Sequence, residues 1–124
     1  IIIALVLILY VELFALYGQA DVMITNDSGP AHYATLTPID VVTLFGPESP
    51  DVFGARTERS HLMWARLACS PCVNAFNQRV TTCRNNLCMQ AITVDQVFER
   101  VKDVLELRER RAASGAATLR SGAN

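Results

Sequence analysis

Two short runs of β-branched and aromatic residues, each ending in a cluster of chain breakers, constrain this chain most. The first is "VMIT", Val22 to Thr25, which runs straight into Asn26, Asp27, Ser28, Gly29 and Pro30. The second is "DVVTLF", Asp40 to Phe45, which runs into "GPESPDVFG", residues 46–54. Short, apolar and β-branched, both are expected as strands covered on both faces, as in a parallel sheet flanked by helices. Between them "PAHYATL" reads as helix, with Pro30 at the first helical position, where its missing N–H costs nothing. Strands alternating with helices predict an α/β fold with a parallel sheet.

The flanks are less decisive. "IIIALVLILYVELFALYGQ" carries eleven apolar residues before Glu12 and five after it. Ile1 to Ile3 lean toward strand, and Leu9 to Gly18 toward helix, with Gly18 as its stop. A membrane span needs roughly 20 apolar residues, and no basic flank marks a signal peptide. A buried core segment is the main expectation and a peripheral membrane contact the alternative. The chain opens on Ile1, as a fragment or processed product would. Residues 55–91 are irregular, with "HLMWARL" as strand or short helix. His61 is expected at a surface or strand edge, and Trp64 in the core. In "ITVDQVFERVKDVLELRERR" the residues Val94, Val97, Val101, Val104 and Leu105 recur at helical spacing. Thr93 and Gln96 form a capping box, and Ile92 can staple onto Val97. Arg108, Arg110 and Arg111 suit the helix end. Residues 112–124, small and polar, read as a disordered tail.

Net charge is −1 and aromatics are few, so nothing suggests a nucleic-acid partner. Four cysteines follow the pattern C-x2-C, ten residues, C-x4-C: Cys69, Cys72, Cys83 and Cys88. That spacing admits a structural zinc. Disulfides in an oxidising compartment and reduced thiols stay open beside it.

The loop after the first strand carries the chemistry. In a parallel α/β sheet, ligands sit at the carboxyl ends of strands, in loops leading into helices. With Pro30 first in the helix, Gly29 caps it, and the N–H groups of Ala31, His32 and Tyr33 lack helical partners. Such amides suit a phosphate, and Gly29 lets it approach the backbone. Ser28 and His32 add donors. Asp27 repels a bare phosphate but accepts from hydroxyls, so a nucleotide sugar satisfies the whole set. The plain alternative is that Asp27 and Ser28 only cap the turn and His32 only packs. Ser28 with His32 as a hydrolase pair lacks the nucleophile-elbow pattern.

"TNDSGPAH", followed after a short gap by "VVTLFGPESP", then "CSPC" and "CMQAITVDQVFERV", resembles the C-terminal domain of glycosyltransferase family 9, which includes the lipopolysaccharide heptosyltransferases. The likeness runs from about Val11 to Val104; residues 1–10 are more apolar than the family there. It implies a Rossmann-like domain over residues 1–111, the C-terminal half of a GT-B enzyme. It assigns Asn26, Asp27, Ser28, Gly29 and His32 to the donor's pyrophosphate and sugar, with Phe45, Gly46 and Pro47 shaping the same pocket. The implied reaction transfers a sugar from a nucleotide-sugar donor to a surface-glycan or glycolipid acceptor, in the cytoplasm or at the inner face of the membrane. No cofactor is required. The acceptor and the acidic general base belong to a second domain, so no catalytic residue is expected here, and these residues alone should bind a donor without turning it over. The other reading is a non-catalytic phosphate- or nucleotide-binding module, or one stapled by zinc.

Overall fold

The computed structural model describes residues 2–78 and 80–121. Eight elements follow one another: α1 (Ile2–Gln19), β1 (Val22–Asn26), α2 (Gly29–Ala34), β2 (Asp40–Phe45), α3 (Pro50–Phe53), β3 (Ser60–Trp64), α4 (Leu87–Gln90) and α5 (Val94–Ser121). The three strands form one parallel sheet in the order β1-β2-β3. Val22 pairs with Asp40 and Asn26 with Leu44; Val41 pairs with Ser60 and Phe45 with Trp64. The two breaker-ended runs are therefore the first two strands of a Rossmann-like α/β layer.

β2 is buried along nearly its whole length because it lies between two strands and two helical layers. On one face Val41 joins Tyr17, Ala34 and Ile39 in a core extended by Leu13, Phe14 and Met23. Side chains alternate across a strand, so Val42 turns to the other face, where α5 packs on β2 and brings Val104. Ile39, Val42, Phe45 and Val104 are all essentially inaccessible, and each such side chain stabilises the fold by about 1.5–3 kcal/mol.

The helix ends differ from expectation in instructive ways. α1 starts at Ile2, with no initial strand. β-branched residues disfavour helix by only tenths of a kcal/mol each, too little to outweigh a continuous helix. It packs through Leu13, Phe14 and Tyr17, while Ile8, Leu9, Val11 and Leu16 stay exposed. Among the described residues no helix is long and apolar enough to cross a membrane. α5 begins on the expected reciprocal box: Thr93 N–H donates to Gln96 Oε1 (2.9 Å), and Gln96 N–H to Thr93 Oγ1 (3.3 Å). Its buried line is not the whole apolar stripe. Val97, Val101 and Val104 face inward, whereas Val94 and Leu105 are exposed. The helix continues through residues 112–121, where a disordered tail was expected. Those residues include Ala112, Ala113, Ala116, Ala117 and Leu119, strong helix formers that outweigh Gly115. Residues 122–124 of that tail, and Ile1, lie outside the described residues.

Candidate functional site

The carboxyl ends of β1 and β2 lie side by side, and the ladder runs one residue further, with Asp27 N–H donating to the Leu44 carbonyl (3.2 Å). This brings the two polar loops together. A cavity of about 410 Å³ opens there, lined by Asn26, Asp27, Gly46, Pro47, Glu48 and Met89, with Leu44 and Asn86. A larger groove of about 690 Å³ lies between β3 and α5, and none of the loop residues borders it.

The predicted loop residues divide into three groups. Asn26, Asp27, Gly46 and Pro47 line the cavity. Ser28, Gly29 and His32 flank it through Asp27: the His32 imidazole stands 3.9 Å from the Asp27 carboxylate and is half exposed. Phe45 does not shape the pocket. Its side chain is 1% exposed and belongs to the core, because the alternation of β2 turns it inward.

The start of α2 corrects a second detail. Ser28, not Gly29, is the N-cap, and Gly29 and Pro30 form the first turn. The Ala31 amide donates to the Ser28 carbonyl (3.1 Å), so it is not available to a ligand. The Ser28 hydroxyl makes no cap bond; it donates to the Asn26 carbonyl (3.2 Å) and tightens the loop. A Cβ on Gly29 would meet only Tyr33 Cε2, at an ordinary 3.7 Å. The fold therefore tolerates a side chain at Gly29, and nothing in the packing demands glycine.

Gly46 is different. A Cβ there would lie 2.7 Å from Met89 Sδ and 2.9 Å from Met89 Cγ. α4 thus packs directly on the second loop, and Met89 reaches the cavity because Gly46 has no side chain. The cysteine-bearing segment holds the same loop from outside. Cys72 N–H and Val73 N–H both donate to the Pro47 carbonyl (2.9 Å each). The Ser70 hydroxyl donates to the Gly46 carbonyl (2.6 Å) and accepts from Trp64 Nε1–H (3.0 Å). Trp64, expected in the core, is half-buried and serves as an anchor for this brace.

Glu48, Asn86 and Met89 also line the cavity, and the sequence motifs assign them no role there. The only local signal is the Asn85–Asn86 pair, since asparagine accepts the left-handed conformation that Asn86 adopts (φ 48°). The cysteines are not joined in disulfides. Among the described residues no three His, Cys, Asp or Glu side chains come together as a metal site. Cys72 and Cys83 share Thr81 Oγ1, which lies 3.5 Å from the Cys72 sulfur and accepts from Cys83 N–H (3.2 Å). Cys88 is buried, and burial raises its thiol pKa, with Cys72 and Cys83 nearby adding to the shift.

At the opposite end of the sheet, Asp40 is fully buried. Burial alone would raise its pKa, but hydrogen bonds from His61 (2.9 Å) and Arg111 (2.7 Å) prevail and hold it below the ordinary carboxylate value. His61, expected at a surface or edge, is instead a partner of this buried charge.

A family model described as glycosyltransferase family 9 (heptosyltransferase) matches residues 10–81. Lipooligosaccharide heptosyltransferase 2 of Campylobacter jejuni subsp. jejuni serotype O:2 is 31% identical over 87 residues, 69% of this chain and 26% of that protein. The namesake from serotype O:6 is 32% identical over 83 residues, 66% of this chain and 25% of that protein. The chain thus spans about a quarter of the length of these curated relatives. No solved structure matches. Both strand ends and both cavity loops fall inside the matched stretch, and on that match the chain belongs to glycosyltransferase family 9.

Proposed function

We propose that this chain forms the donor-binding part of a heptosyltransferase-like glycosyltransferase and that its cavity holds the diphosphate and sugar of a nucleotide-sugar donor. The observation that carries this reading is the cavity at the carboxyl ends of β1 and β2, where the two polar loops meet. Asp27 accepts from sugar hydroxyls. His32, 3.9 Å from Asp27 and half exposed, donates to a phosphate oxygen. Gly29 leaves the backbone open to the same group, and the loop amides near Gly46 serve the far side of the ligand. Oriented N–H donors of this kind stabilise a departing diphosphate.

In this reading the acceptor, a glycan or glycolipid, and the general base come from a separate part of the enzyme. These residues alone bind the donor without turning it over. The work is done on the cytoplasmic side, where nucleotide sugars are made.

Titration of the protein with ADP, UDP and their sugar conjugates tests the reading. Gly29→Ala is the informative variant, because the fold has room for the methyl group. It should leave thermal stability unchanged and weaken nucleotide binding about tenfold or more, the effect of losing one close charged contact. Asp27→Ala should weaken sugar conjugates more than free diphosphates. Equal affinities for wild type and both variants would refute the site.

A further inference from the structure

The end of the sheet away from the donor cavity carries a second concavity of opposite character. Arg59 stands just before β3, and Arg108 and Arg111 lie one turn apart on α5. With Pro38 and Ala112 they line a cavity of about 260 Å³. All three guanidinium groups lean on one buried carboxylate: Arg111 Nη2 at 2.7 Å, Arg59 Nη1 at 3.5 Å and Arg108 Nη1 at 3.6 Å from Asp40. Arg59 and Arg108 also donate to the same Pro38 carbonyl, at 3.1 and 3.0 Å. Arg108 Nε meets Asp21 at 3.1 Å, but Asp21 is 71% exposed, so solvent screens that charge.

The charges do not balance. Among the described residues, the ion pairs here set three permanent cations against one buried carboxylate and one well-solvated one, which leaves surplus positive charge at the cavity wall. One guanidinium is enough to neutralise Asp40, so pinning α5 to β2 does not account for three. The three side chains are 28–41% exposed, and each guanidinium carries five N–H donors in a rigid fork. Such forks match the oxygens of a tetrahedral oxyanion.

We propose that this cavity is a binding site for a phosphate group, separate from the donor cavity. At about 3.3 Å per residue along β2, the two sites lie roughly 17 Å apart. A single concave cluster fits one phosphate. A nucleic acid needs a longer basic track, and the net charge of −1 gives no wider positive field. The phosphate arrives either as a small free anion or as the headgroup of an acidic lipid.

The test uses the intact protein and two probes. Inorganic phosphate is titrated at constant ionic strength into wild type and Arg59→Gln, a change that leaves the lining of the donor cavity intact, and its 31P line width is followed. The wild type should broaden the line saturably. Arg59→Gln should reduce that affinity about tenfold, the effect of losing one charge-assisted contact, and Arg59→Lys should recover part of it. Arg59 is the residue to vary because it is the most exposed of the three and its contact with Asp40 is long. In the second arm, vesicles of phosphatidylglycerol and of phosphatidylcholine are sedimented with the protein. Capture by the anionic vesicles alone, lost in Arg59→Gln, identifies a lipid headgroup; saturable phosphate binding without capture identifies a free anion. No saturable broadening by wild type, or equal broadening by wild type and Arg59→Gln, overturns the proposal.

Discussion

Replacing Asp40 by asparagine removes the charge on which the lower end of the sheet converges, while its shape is kept. The carboxylate is fully buried and meets His61 at 2.9 Å and Arg111 at 2.7 Å, with Arg59 and Arg108 further out. Asparagine keeps one acceptor oxygen but turns an amide donor toward a cationic neighbour. Breaking a buried ion pair from one side costs about 3–5 kcal/mol. The arginines here are partly exposed and can regain water, so the expected loss is about 2–4 kcal/mol, a large share of the roughly 5–15 kcal/mol that holds a domain together. For a chain of this size that corresponds to a fall in Tm of about 6–15 °C. A double-mutant cycle with Arg111→Gln should show a coupling above about 1 kcal/mol, because the two groups touch.

The pH dependence has a fixed sign. The folded-state pKa of Asp40 lies below its ordinary value of 3.8. Its contribution is therefore complete above that value and is lost as pH falls through the lower, folded one. Below pH 4 wild type should lose stability more steeply than Asp40→Asn. Thermal unfolding by circular dichroism between pH 3 and 7 measures both effects. A variant within about 0.5 kcal/mol of wild type, the usual range for an unimportant surface site, with the same acid profile, would refute the reasoning.

Other expectations are simpler. Gly54→Ala places a methyl group against the Pro50 carbonyl oxygen and 2.6 Å from Leu62 Cδ1; since backbone must shift, denaturant melts should show a loss of about 1–3 kcal/mol. Thr93→Ala removes one arm of the capping box, and the same assay should read a loss of about 0.5–2 kcal/mol. Cys88 is buried with a raised thiol pKa while Cys69 and Cys83 are exposed; with iodoacetamide at pH 8, followed by mass spectrometry, Cys88 should react about tenfold more slowly or less.

Much of the fold could be read locally because its signals are local. A β-branched run stopped by Asn26–Pro30 or by Gly46–Pro47 marks a strand end wherever the chain later goes. The Thr93–Gln96 box defines the start of α5 within four residues of sequence. What escaped reading is tertiary. Asp40 meets partners 19, 21, 68 and 71 residues away, and no periodicity encodes that convergence. The family resemblance implies a pocket role for Phe45, yet the parity of β2 sends it to the core. The cavity's Asn86 and Met89 belong to the cap and body of α4, which follows a long irregular segment tied to the Pro47 carbonyl by the Cys72 and Val73 amides, bonds that side-chain patterns do not reveal.

The donor site itself is tested most directly by mapping where a nucleoside diphosphate perturbs the backbone. Amide chemical shifts of the protein titrated with ADP or UDP should move at residues 26–32 and 46–48, the two loops that meet at the ends of β1 and β2. Shifts confined to the groove between β3 and α5, or no saturable shift at either loop, would contradict the account.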